Sequence, residues 1–380
     1  MNNDAEKRTV RCAICGGNQY KSILERKHNM NKSYLDISTN DYGWNDIDYR
    51  IEECPHCAYL AEDISKLSYG WHKVKNMKFL DEAADVYNKC AFAMSEMNDV
   101  LGEYKYHSMS AWRSGVIGDN ENRAKSLWKM YSIYENFKHK YDFKQVEMFT
   151  IREIETELGI CKINKKCAVC GHVSEQKKTD IKPDTHFFHP SQDADFRPTE
   201  PFRDTITLWL EKCPNCGYVD KDISNESSNL LGMIETKDYL IFQKRVNWNK
   251  FYPDFAKKFI LYALAKEHLG EYDEAYKSVV CAAWIADDVK AQEHARIYRR
   301  RASNIFNKYF DINTVNIRDA LRHLDVLRRA EMYGEVVKIC DTLPVDPNPV
   351  YENLKKLQKK LASDKDNTKY FIESSLYCGE

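Results

Sequence analysis

Four Cys-x-x-Cys pairs constrain this chain more than any other feature: Cys12 with Cys15, Cys54 with Cys57, Cys167 with Cys170, and Cys213 with Cys216. Two thiolates from one tight turn take two corners of a tetrahedron, and a second turn supplies the other two. Each half of the chain has two such turns, so the spacing predicts two four-cysteine sites, with a few strands and a loop between the pairs of each. Two structural zinc ions are the expected occupants, because four thiolates close the coordination sphere and leave no position for water or substrate.

The rest of the chain sets the context for these thiols. The amino terminus shows no apolar core of a signal peptide, and no later run approaches membrane-spanning length, so the expected compartment is the cytoplasm. Thiols are kept reduced there, and the thirteen cysteines are not read as a disulfide framework. The other five, Cys90, Cys161, Cys281, Cys340 and Cys378, lie mostly in or near helical patterns and read as small buried hydrophobes. The competing readings are a redox dithiol, since Cys54-Pro55-His56-Cys57 alone resembles the active-site tetrapeptide of thiol oxidases, and an iron–sulfur cluster. A redox motif should follow a buried strand and open a long helix; here the turn recurs with asparagine for histidine and with a second pair upstream.

Repetition supports the metal reading. Ile51–Ser65 aligns without a gap on Leu210–Ser224, and eight of fifteen positions are identical, including Glu52 with Glu211, Tyr59 with Tyr218, and the Asp-Ile-Ser that ends each segment. A long-period duplication is the simplest explanation. Cys-Pro-His-Cys-Ala-Tyr and Cys-Pro-Asn-Cys-Gly-Tyr look like zinc knuckles, in which proline shapes the turn and a small residue lets amides approach sulfur.

After each cysteine module the periodicity becomes helical. Ala83, Tyr87, Cys90, Met94, Met97 and Leu101 form one apolar stripe, and further helices are expected over 124–141 and 146–158. In the second half, Leu269-Gly270-Glu271-Tyr272 sits between two helical patterns, and residues 255–288 resemble one tetratricopeptide unit, with glycine turning the chain and Ala275 and Ala282 letting helices approach. Asp287 stands near the unit's end where its consensus has proline. The first half keeps Leu101-Gly102-Glu103-Tyr104 but has His107 where the alanine belongs. Later helices are expected over 295–309, 317–332 and 335–341.

The expected fold is therefore α+β, mostly α. Its segments are a zinc-ribbon-like module (1–75), a helical region (76–160), a second zinc-ribbon-like module (161–228), tetratricopeptide-like hairpins (229–345) and a helical carboxyl-terminal extension (346–380).

The paired cysteines, Asp195-Phe196-Arg197, the Cys-Pro-Asn-Cys-Gly-Tyr knuckle and the trailing helical hairpins together resemble the bacterial domain-of-unknown-function family 2225. The resemblance covers best Cys167 to about Asp288, and the first half looks like a divergent copy without the Asp-Phe-Arg element. It implies that Cys167, Cys170, Cys213 and Cys216 are metal ligands. It implies no activity, because the family is uncharacterised. Ala58 in place of the knuckle glycine is a further departure in the first half.

No Gly-rich phosphate loop, nucleophile elbow or His-Glu-x-x-His helix is present, and no catalytic residue is assigned. His186, His189, Asp193 and Asp195 form a polar cluster, but His-Phe-Phe-His in an extended segment lacks helix-based zinc geometry and the first half has no counterpart. A formal charge of −1 gives no global pull toward nucleic acid. Residues 289–333 nevertheless hold ten Lys or Arg against five Asp or Glu, and helical spacing would place Arg296, Arg299 and Arg300 on one face and Arg318, Arg322 and Arg329 on another. The expected function is a non-catalytic zinc-binding scaffold or adaptor whose helical hairpins hold a protein or peptide partner. The alternatives are a nucleic-acid-binding zinc-ribbon protein and a thiol-redox or metal-dependent enzyme.

Overall fold

The structure, a computed structural model, describes residues 6–11, 18–23, 52–53, 60–61, 86–96, 98–145, 149–181, 192–200, 202–225, 230–244 and 254–377. It is mostly helical, with small antiparallel two-stranded sheets. The chain divides into two compact units, residues 1–134 with 138–154, and residues 135–137 with 155–380.

In the first unit, β1 (Glu6–Arg11) pairs with β2 (Asn18–Ile23), and β3 (Glu52–Glu53) with β4 (Leu60–Ala61). Helices α1 (Val86–Glu96), α2 (Val100–Ile117) and α3 (Asn120–Phe137) follow. The stripe from Ala83 to Leu101 does not lie on one continuous helix. Asn98 adopts φ +59°, Asp99 N–H donates back to Met94 O at 2.9 Å, and the Asp99 carboxylate then accepts from Gly102 N at 2.9 Å. One helix is closed and the next capped within two residues. Gly102 therefore lies in the first turn of α2 rather than in an interhelical turn, so Leu101-Gly102-Glu103-Tyr104 does not do in this half what its counterpart does in the second.

Helix α3 starts four residues before the expected Ala124, because Asp119 caps it, accepting from Asn122 N at 3.1 Å. Ser126 Oγ donates to Ser110 Oγ at 2.9 Å, tying α3 to α2, and Tyr104 packs on Phe143 with centroids 4.9 Å apart. Helix α4 (Ile151–Glu157) begins at a capping box, in which Glu153 accepts from Thr150 N at 2.7 Å and Thr150 Oγ1 accepts from Glu153 N at 3.3 Å.

The second unit opens with β5 (Cys161–Lys166) paired to β6 (Val173–Lys178), then β7 (Glu211–Lys212) paired to β8 (Val219–Asp220). Helices α5 (Leu230–Ile234), α6 (Lys237–Lys244), α7 (Asp254–His268), α8 (Tyr272–Asp288), α9 (Gln292–Tyr309), α10 (Ile317–Arg329), α11 (Tyr333–Thr342) and α12 (Pro349–Ser363) follow. One device ends α7, α8, α10 and α12: a left-handed residue, Gly270, Lys290, Glu331 or Lys365, after which the next N–H donates five residues back. This is the Schellman closure, and it turns each helix sharply into the next segment.

Small residues let α7, α8 and α9 lie close. Ala256, Ala263, Ala275, Ala282, Ala283, Ala286 and Ala302 are fully buried, and Ser278 Oγ donates to Phe259 O at 2.8 Å across the α7–α8 interface. A second apolar cluster joins Leu321, Leu324 and Leu327 of α10 to Leu354, Leu357 and Leu361 of α12. The carboxyl-terminal segment returns to the 192–200 loop: Ile372 N donates to Gln192 O, and Ala194 N to Tyr370 O, each at 2.8 Å.

Candidate metal centre

Each of the four cysteine pairs falls in the connection of a β-hairpin. The closing pairs are Arg11 with Asn18, Glu53 with Leu60, Lys166 with Val173, and Lys212 with Val219, and in all four the partners stand seven positions apart. Cys12, Cys15, Cys54 and Cys57, and likewise His186 and His189, lie outside the described residues.

The second half shows the geometry in full. In the β5–β6 connection, Cys167 N donates to His172 O at 2.9 Å and Gly171 N to Cys167 O at 2.9 Å. In the β7–β8 connection, Cys213 N donates to Tyr218 O at 2.8 Å and Gly217 N to Cys213 O at 3.0 Å. The two turns are copies. Both glycines are left-handed, Gly171 at φ +71° and Gly217 at φ +76°, which a side chain would strain.

Together these turns bring Cys167, Cys170, Cys213 and Cys216 into one cluster, with all four sulfurs within 4.8 Å of one another. Cys167 Sγ lies 3.7 Å from Cys216 Sγ, and Cys170 Sγ 3.6 Å from Cys213 Sγ. A disulfide needs about 2.05 Å. A tetrahedron with metal–sulfur bonds of about 2.3 Å has edges of about 3.8 Å. Two of the cluster's edges match that tetrahedron and the others stay within 4.8 Å, so the group could hold a metal ion, and the four cysteines are free thiols.

The electrostatics also favour a cation. Burial pushes the Cys167 and Cys216 thiols up. Against some burial, the Asn215 side-chain amide, with the His172 backbone and the neighbouring thiols, holds Cys170 down to about 6. Burial thus opposes ionisation of Cys167 and Cys216, which a positive charge among the sulfurs would offset.

The residues shared by the duplicated segments tie this module together. Glu211, almost fully buried, accepts from Ile223 N at 3.0 Å and from Lys165 Nζ at 2.8 Å. Lys165 also reaches Asp222 at 2.6 Å, and these two partners, against partial burial, hold its ammonium above the usual lysine range. Tyr218 Oη donates to Asp220 at 2.8 Å.

Two residues outside the cysteine motifs complete the site. Tyr239 Oη donates to Gly217 O at 2.9 Å, and one turn later Gln243 Nε2 donates to Cys216 O at 2.7 Å. Both project from α6, whose sequence carries no metal-binding signature; only their one-turn spacing marks a shared face.

Asp193 and Asp195, by contrast, are buried structural acceptors. Asp193 pairs with Arg203 at 3.2 Å and Lys369 at 3.3 Å, while Asp195 accepts from Trp284 Nε1 at 2.6 Å. Arg197 stacks over Trp284 and pairs with Asp288, so Asp-Phe-Arg clamps its loop to α8.

The expected arginine faces are partly internal. Arg299 and Arg329 are buried and both pair with Asp287, Arg296 pairs with Glu293 and Glu331, and Arg322 pairs with Asp319. Part of the positive charge counted along 289–333 is thus taken up inside the fold, while Arg300 stays exposed and donates to Ala330 O at 3.2 Å.

Among the described residues, no helix is long and apolar enough to cross a membrane. In comparisons with known proteins, the chain matches no family model, no curated protein and no solved structure.

Proposed function

We propose that this protein is a non-catalytic scaffold in which zinc ions staple two duplicated cysteine modules and helical hairpins hold a protein or peptide partner. The observation that carries the reading is the closed sulfur cluster of Cys167, Cys170, Cys213 and Cys216, with edges of 3.6 and 3.7 Å. Four thiolates around one ion leave no open position, which suits a structural ion and not a hydrolytic one.

A second ion, on Cys12, Cys15, Cys54 and Cys57, belongs to the same proposal. Its support is the common hairpin register around all four pairs, together with the sequence identity of the duplicated segments. The resemblance to the uncharacterised family 2225 supports the ligand set and adds no activity.

The tetratricopeptide-like reading of residues 255–288 rests on the left-handed Gly270 turn and on buried Ala275 and Ala282 between α7 and α8. Helical hairpins of this kind commonly present a concave surface to partners. The nucleic-acid alternative draws on the basic segment 289–333 and the chain's tyrosines, but Arg299 and Arg329 of that segment are buried against Asp287 and so are withdrawn from a phosphate-facing surface.

The test is a Cys213→Ser variant of the full chain. Loss of about one zinc together with local unfolding of residues 161–225, read by hydrogen exchange, is expected. A variant that keeps its full zinc content and native protection would overturn the proposal.

A further inference from the structure

In the second unit, α8, α9 and the start of α10 enclose a cleft of about 130 Å³. Its lining combines Tyr276, Phe306, Phe310 and Val315 with the carboxylates of Asp273 and Asp319. Tyr276 and Phe306 are almost fully buried, so they form its floor.

The size decides what class of guest fits. Small-molecule sites usually span roughly 300–1,000 Å³, so this cleft admits a single side chain of a larger partner. The chemistry decides which side chain, because an apolar wall suits the aliphatic stem of a lysine and an adjacent carboxylate supplies the counter-charge for its ammonium.

The two carboxylates are not equivalent. Asp319 is held at 2.5 Å by both Arg322 and the Asn316 amide, so its charge is already met. Asp273 pairs with Lys277 at 2.6 Å, with both side chains about half exposed. Such an i,i+4 surface pair is weak and exchangeable, which leaves Asp273 able to accept an incoming ammonium.

The floor is preorganised from behind. His323 stacks on Phe306 with centroids 3.7 Å apart and planes within 12°, and its Nδ1 lies 3.5 Å from the Tyr276 hydroxyl.

We infer that this cleft is a lysine-binding pocket, in which the aliphatic stem of a partner segment's lysine packs on the partly exposed Phe310 and Val315 above the buried Tyr276 and Phe306, and its ammonium pairs with Asp273. The inference rests on the reading of the helices as a docking surface and names the chemistry that surface selects. A lysine entering it displaces Lys277 from Asp273 and leaves the Asp319–Arg322 pair intact.

The experiment is ligand-observed saturation-transfer NMR on the full chain with three probes: acetyl-Gly-Lys-Gly-amide and its norleucine and glutamate counterparts. The lysine peptide should bind at least about fivefold more tightly than the norleucine peptide of equal reach. The difference should shrink when salt is raised from about 50 to about 500 mM, and in an Asp273→Asn variant of unchanged circular dichroism. Equal binding of the lysine and norleucine peptides, or full lysine selectivity in Asp273→Asn, would overturn the inference. The norleucine comparison uses the unaltered protein and so does not depend on a variant folding. The scaffold reading stands on zinc content and module unfolding, which these titrations leave untouched, so the two fail separately.

Discussion

The side-chain amide of Gln243 donates to the carbonyl oxygen of Cys216 at 2.7 Å, so a helix with no cysteine of its own holds one corner of the sulfur cluster. One turn earlier, Tyr239 does the same for Gly217 at 2.9 Å. The sulfur cluster is thereby linked to the helical part of its unit through two backbone carbonyls.

Removing that support should loosen the ion without removing a ligand. Partners of this kind typically tune metal affinity about 10–100-fold. Gln243→Ala combined with Tyr239→Phe should therefore raise the rate at which a chelator extracts zinc by at least about tenfold while stoichiometry stays the same. Unchanged extraction kinetics would show that α6 merely abuts the knuckle.

The two knuckle glycines should differ in their tolerance of alanine. A Cβ at Gly217 would meet Gln243 Nε2 at 2.0 Å, whereas at Gly171 the nearest atom is Lys166 Cε at 3.7 Å. Both substitutions carry the left-handed penalty of about 1–2 kcal/mol. Gly217→Ala also breaks the Gln243 contact, so urea unfolding should place it about 1 kcal/mol below Gly171→Ala.

The buried carboxylate of Asp287 serves two arginines at once, Arg299 and, at 2.8 Å, Arg329. Asp287→Ala would strand two buried cations and should destabilise the second unit by about 3–5 kcal/mol in urea unfolding. The guanidiniums hold this carboxyl below its usual range despite its burial. Its stabilisation is therefore present above the unfolded aspartate pKa and is lost as pH falls below it.

His323 should contribute to acid sensitivity at higher pH than the carboxylates do. It is fully buried, its Nε2 has no hydrogen-bond partner, and burial pushes its pKa down to about 3. The unfolded chain takes up this proton near pH 6.5 and the folded one only near 3, so stability falls as pH drops between those values. His323→Leu should flatten the stability–pH curve across that window, most clearly between pH 6.5 and 5, where carboxylates titrate little. A curve parallel to that of the unaltered protein would show that His323 takes up its proton as readily in the folded chain as in the unfolded one.

The clustering of Cys167, Cys170, Cys213 and Cys216 was legible in the sequence because each pair spans one tight turn and so keeps its two sulfurs on one side of a hairpin end. The turn at Gly270 was legible for a similar reason, since only a local backbone demand is involved. What could not be read was the partner of each charge. Arg299 and Arg329 look like surface residues in a linear count, yet Asp287, which closes α8, draws both inside. The break at Asn98 was also hidden, because Met94 and Leu101 keep an apolar rhythm across a cap made by one aspartate. Tyr239 and Gln243 carry no motif, and only the fold brings them to the knuckle.

The central claim is that paired knuckles hold structural zinc, and the most direct test is elemental analysis with a thiol count on full-length protein purified under reducing conditions without added metal. Two zinc ions per chain are expected, with the eight paired cysteines protected from thiol reagents until a chelator is added. Protein free of metal, with those cysteines cycling between thiol and disulfide, would contradict the account and return the Cys-x-x-Cys pairs to redox chemistry.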